Sequence, residues 1–235
     1  MLFWKKSKKL ELRCYSLEPQ LPDFFPIELS KKVIPEWYKN LPPYSGPQRM
    51  PTTKMCPGLQ HLFNVGITIP LWFDYTITRM ENGTITNIDV PRTIKSYESH
   101  HNGQWEGAFP GWHHLKLLSP WYIEADRPVP FMAIAPTWHQ QNPGEYVLAP
   151  GMMEFRYQHA THAQLFLPPV TNSQASVIKL EAGTPMIHFI PTEDVNIELK
   201  FCEMDDKAYK RIVEKYTWTR ENLYRRSRKI LENMI

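Results

Sequence analysis

Residues 176–191 read SVIKLEAGTPMIHFIP, two compact apolar runs joined through Glu181-Ala182-Gly183-Thr184-Pro185. Glycine takes the positive φ of a tight turn without a steric cost, and proline presets φ at the start of the run that follows. The stretch therefore predicts strand, turn, strand, a hairpin that closes the edge of a β-sandwich. The same grammar recurs between about residues 67 and 205, as short β-rich runs between Gly, Pro and Asn breaks.

Working outward, residues 66–80 (GITIPLWFDYTITRM) and 84–90 (TITNIDV) flank Asn82-Gly83. An Asn-Gly step between β-branched runs is a strong local hairpin signal, because both residues tolerate positive φ. Further strands are expected over 10–17, 113–125, 130–136, 146–150 and 153–167, with a polar, Gly-rich strand and loop over 94–112. Some eight short strands must close or pair to hide their edges. The fold expected is mainly β, a single antiparallel β-sandwich or jelly roll resembling a double-stranded β-helix.

Two appendages are expected. Residues 19–57 hold nine of the 22 prolines, so the segment 18–65 reads as an arm that wraps the sandwich with its aromatics, Trp37 packing inward. Within it, 30–40 reads as helix opened by Pro35, and Leu59, Leu62 and Phe63 form a helical turn stopped by Gly66. After the β-domain, residues 1–205, comes a tail over 206–235. It reads as an amphipathic helix capped by Asp205 or Asp206, with Tyr209, Ile212, Val213 and Tyr216 on one face.

The 235 residues are 42% hydrophobic and 22% charged, an ordinary globular composition. Cys14, Cys56 and Cys202 are odd in number and widely spaced, which fits reduced thiols and excludes a disulfide framework. No run approaches the ~18 apolar residues of a membrane span, and neither membrane insertion nor secretion is expected. The formal charge is +3. Residues 207–235 hold nine Lys and Arg against three acids, a balance of +6, which leaves −3 to the rest. Arg225, Arg226, Arg228 and Lys229 are thus candidate partner contacts, with nucleic acid reachable through charge alone.

No Gly-x-Ser-x-Gly, phosphate-binding glycine loop or His-Glu-x-x-His occurs. No histidine is followed two positions later by His, Asp or Glu, the strand spacing that lets two side chains share an ion. A metal site is then reachable only across strands, from Asp74, His113, His159, His162 and His188, with iron as the metal. A candidate pocket is lined by Trp72, Asp74, Trp121, Glu154 and His188, where acids lie beside aromatics.

The ordered blocks FPIELSKKVIPEWYKNLPP, TTKMCPGL, GITIPLWFDY, LLSPWYIEA and IKLEAGTPMIHFIPTED resemble an uncharacterised protein family of marine T4-like phages, of cyanophage type. The last block also resembles a bacterial domain of unknown function. The resemblance spans roughly residues 10–210. It implies a compact β-fold acting in the cytoplasm of an infected bacterial host or in the virion, and it carries over no catalytic residue. The function expected is non-enzymatic, a virion component or a binding or assembly protein with protein partners or self-assembly and no cofactor. The alternative is a cupin-like, metal-dependent oxygenase of the iron/2-oxoglutarate type with a non-standard ligand set.

Overall fold

A computed structural model of the chain describes residues 8–80, 85–90, 96–100, 102–105, 107–139, 144–170 and 176–214. The protein is mainly β, with several antiparallel sheets and a short C-terminal helix. A five-stranded central sheet runs Gly151–Glu154, Pro130–Ile134, Pro185–Pro191, Ile67–Pro70, Glu28–Leu29. A three-stranded corner sheet runs Ser176–Leu180, Tyr75–Arg79, Ile85–Asp89. A four-stranded sheet orders Val147–Leu148, Ala163–Leu167, His113–Leu117 and Tyr97–Ser99, and a three-stranded N-terminal sheet orders Trp121–Ala125, Lys8–Ser16 and Val195–Cys202. All four contribute to one apolar core, through Phe131, Phe189 and Ile67, Ile77 and Ile178, Leu115 and Leu165, and Leu10 and Leu12.

The opening stretch is strand, turn, strand, but not a hairpin. Ser176–Leu180 pairs with Tyr75–Arg79, whereas Pro185–Pro191 lies in the middle of the central sheet between Pro130–Ile134 and Ile67–Pro70. Residues 66–80 break in the same way, because Pro70 cannot donate to a continuing ladder. The two segments are therefore one antiparallel ribbon that leaves the central sheet and enters the corner sheet. Its bend is held by Leu71 N–H to the Thr184 carbonyl and Gly183 N–H to the Leu71 carbonyl, both 2.7 Å, with Gly183 at φ 84°. Ser119-Pro120 splits 113–125 similarly, sending His113–Leu117 and Trp121–Ala125 to different sheets. Residues 153–167 likewise form two strands rather than one.

The pairing of Tyr75–Arg79 with Ile85–Asp89 agrees with the Asn-Gly expectation, although the tip lies outside the described residues. Val195–Cys202, beyond the strands expected individually, adds an edge strand parallel to Lys8–Ser16. Leu10, Leu12 and Cys14 point into the core as the alternation predicts. Burial continues at Tyr15 because the C-terminal helix covers the opposite face. Burial also drives the Cys14 thiol pKa upward, as expected for a buried, unreactive cysteine.

In the arm, Pro35 precedes the helix Glu36–Asn40, and Pro57–Asn64 forms a second helix ahead of Gly66. Tyr38, not Trp37, packs inward, 4.6 Å from the Phe63 ring; Trp37 stays exposed and donates its indole N–H to the Trp138 carbonyl. Phe24 and Tyr44 are exposed too, so the arm covers the core with fewer aromatics than expected. At the other end the Asp205 carboxylate accepts from Ala208 N–H at 2.7 Å and caps the helix Asp206–Tyr209. That helix runs into a wider π-type turn over Lys210–Glu214, which puts Ala208 and Ile212 on the buried side and leaves Tyr209 exposed. Arg211 closes the joint with a bidentate pair to Glu124, at 3.2 and 3.1 Å, and a bond to the Tyr15 oxygen at 3.0 Å. Among the described residues no helix is long and apolar enough to cross a membrane.

Candidate functional site

The five candidate pocket residues are dispersed. Trp72 and Asp74 sit at the ribbon bend beside a groove of about 340 Å³ that Phe24 and Phe25 also line. Both have structural duties there. The buried Trp72 indole N–H donates to the Tyr75 hydroxyl at 2.9 Å, and Asp74 accepts from Ala182 N–H at 2.8 Å to brace the turn. Burial pushes the Tyr75 phenol up to about 12, so it stays a neutral donor to the Ser96 carbonyl. Trp121 is fully buried and packs its ring against Phe201, and its indole N–H has no partner among the described residues. Glu154 ends an edge strand of the central sheet, with one carboxylate oxygen buried and unpartnered among the described residues.

His188 lies on the outer face of the central sheet, since its neighbours Ile187 and Phe189 take the core face. The arm covers it. Its Nε2 donates to the Val65 carbonyl at 2.8 Å, and it shares with His139, Ser30 and Thr68 a small cavity of about 80 Å³. Burial lowers the pKa of both His188 and His139, and His188 lowers that of His139 further through charge repulsion.

The proposed iron ligands do not come together. His113 bonds Ser99, His159 faces the Ile123 carbonyl at 2.9 Å, His162 accepts from Ser119 N–H, and Asp74 and His188 are committed as described. Among the described residues no group of three or more His, Cys, Asp or Glu side chains is placed to hold a metal ion. Arg225, Arg226, Arg228 and Lys229 lie outside the described residues.

The strongest constellation is one that the motif search passed over. Register places Glu98, Lys116 and Gln164 in one row across three strands of the four-stranded sheet. Leu115, Leu117 and Leu165 take the core face, so period-two alternation sends Lys116 and Gln164 to the other face. There Lys116 is only 8% exposed, its ammonium 3.3 Å from Glu98. Gln164 Oε1 accepts from His114 Nε2 at 2.8 Å. His114 is fixed in turn inside a ladder of stacked rings: His100 at 4.6 Å on one side, Phe166 at 4.8 Å on the other, then Phe109 at 4.3 Å from Phe166. Trp105 meets His114 and Phe166 edge-on. Burial lowers the His114 pKa, which suits a neutral ring whose Nε2 carries the proton.

Lys116, Gln164 and Trp105 line a cleft of about 250 Å³ whose apolar walls include Leu148, Met153, Ile187 and Phe189. His162 and Thr161 border it as well. A backbone N–H can only donate, so the Ser119 bond fixes His162 with Nδ1 unprotonated, and Thr161 is held by Ser119 and Trp121 at 2.9 Å. No family model, curated protein or solved structure matches the chain, so its own residues define the site.

Proposed function

We propose that the chain is a non-enzymatic binding protein, a β-sandwich of jelly-roll type that takes a small ligand in the cleft beside Lys116 and Gln164. The sandwich reading is supported by four sheets turning apolar faces into one core. The ligand reading rests on the burial of Lys116 at the cleft wall. Removing an ammonium from water carries a penalty of several kcal/mol unless it is paired, and Glu98 occupies one of its three N–H donors. The groups around the cleft are held for positioning, with His162 committed to Ser119 and His114 to Gln164.

The test uses a plug. Gly151 lines the cleft, and a Cβ added there meets nothing within 4 Å. Gly151→Phe is expected to fill the cleft while leaving the melting temperature unchanged. A ligand-observed NMR screen of small polar and apolar compounds should give hits with the wild type that Gly151→Phe abolishes. Hits that persist in the plugged variant, or a wild type that binds nothing, refute the reading.

A further inference from the structure

Resting on that binding reading, we infer that the ligand of the cleft is a small monocarboxylate with an apolar body. Lys116 and Gln164 are directly opposed on neighbouring antiparallel strands, which brings their Cβ atoms to ~5 Å, and both side chains line the cleft. Both tips offer donors. The ammonium has no acceptor capacity, and the Gln164 acceptor is occupied by His114, which leaves the amide NH₂. A group recognised by a cation and an amide NH₂ together is an acceptor with negative charge, and an ionised carboxylate has acceptors only.

The surroundings fix these roles. Glu98 holds the ammonium from the far strand, lies within 3.9 Å of His100 Nε2, and is not part of the cleft lining. The stacked ladder prevents His114 from turning, so Gln164 cannot present its oxygen without losing a hydrogen bond. Leu148, Met153, Ile187 and Phe189 supply an apolar wall beside Thr161 and His162, which suits a hydrocarbon body. A cleft of 250 Å³ equals roughly eight water volumes at about 30 Å³ each. That space suits a short aliphatic or single-ring acid.

The probes are benzoate and hexanoate, set against benzamide, hexanol and benzylamine, titrated into the full chain by calorimetry with methyl NMR to locate the site. Expected are shifts at the Ile187 and Met153 methyls, with carboxylates bound at least tenfold tighter than their neutral or cationic counterparts. Lys116→Met should remove that preference, bringing the acids to the affinity of their neutral counterparts. Gln164→Leu should weaken carboxylate binding alone, and it serves as the test if Lys116→Met fails to fold. Neutral compounds that bind in the cleft as tightly as the acids overturn the carboxylate inference and leave the binding reading standing. Carboxylate shifts confined to residues away from the cleft also overturn it. A wild type that binds none of the five, and gives no hit in the wider screen, removes both.

Discussion

Gly66 stands at the junction of arm and central sheet, and replacing it with alanine tests how that junction is built. Its φ is +86°, and a Cβ there would lie 2.1 Å from the Phe189 carbonyl oxygen and 3.0 Å from the carbonyl carbon. A left-handed φ costs an L-residue about 1–2 kcal/mol. Weak carbon–oxygen contacts sit at about 3.3–3.6 Å, so the strand carrying Phe189 must retreat by roughly 1.2 Å. A shift of that size stretches the 2.8 Å bond from His188, on the same strand, to the Val65 carbonyl beyond bonding range. The lost bond adds about 1 kcal/mol, for a total of ~2–3 kcal/mol. Gly46 is the control, with φ +70° and nothing within 4 Å of its Cβ; Gly46→Ala should cost only the ~1–2 kcal/mol of the backbone conformation. Urea unfolding of both variants measures the difference. A gap below ~0.5 kcal/mol would refute the close approach of Gly66 to Phe189.

Two further outcomes follow from the core. His188 and His139 are held below the ordinary histidine range, chiefly by burial. Below about pH 6.5 the unfolded chain therefore binds more protons than the folded one. The stability contributed by their neutral forms is fully present above that pH and is lost as pH falls through their lowered folded values. The urea midpoint should fall between pH 7 and 5, less steeply in a His139→Asn, His188→Asn double variant; an unchanged slope would show that the arm cavity does not keep these rings neutral. The buried Trp72 and Trp121 give a paired comparison. Trp72→Phe removes a bond that Tyr75 uses, whereas Trp121→Phe removes an indole N–H without a partner among the described residues. Relieving an unpaired donor offsets about 1–3 kcal/mol of the lost packing, so Trp72→Phe should be the more destabilising, and the reverse order in thermal melts would contradict the assignment.

Strands were legible wherever one face meets the core. Leu10, Leu12 and Cys14, or Ile67 and Ile69, announce themselves by period two, and Asn82-Gly83 by turn chemistry. Sheet membership was not legible. Residues 176–191 carry every local mark of a hairpin, yet neither strand pairs with the other: Ser176–Leu180 pairs with Tyr75–Arg79, and Pro185–Pro191 with Pro130–Ile134 and Ile67–Pro70. The clue was Pro70, which interrupts an otherwise continuous run opposite Pro185. A ribbon with proline on both strands at the same level cannot keep a regular ladder, and it bends there. The edge strand Val195–Cys202 was legible in principle from the alternation of Val195, Ile197, Leu199 and Phe201.

The cleft failed to show in the sequence for a different reason. Glu98, Lys116 and Gln164 are ordinary surface residues by type, spread over 67 positions, and no spacing rule connects three separate strands. What links them is register, which depends on how Leu115, Leu117 and Leu165 settle into the core. A one-residue slip would send Lys116 inward among leucines, where an ammonium has no partner, and would expose its apolar neighbours. The burial pattern that stabilises the sheet therefore also selects which polar side chains meet on its other face. A local cue did exist in HHLKL, residues 113–117. Lysine between two core leucines must occupy the opposite face, where it lies 8% exposed beside Glu98. A lysine set between two core leucines was a better pointer to the site than the nine histidines, of which no three come together with other ligand side chains to hold an ion among the described residues.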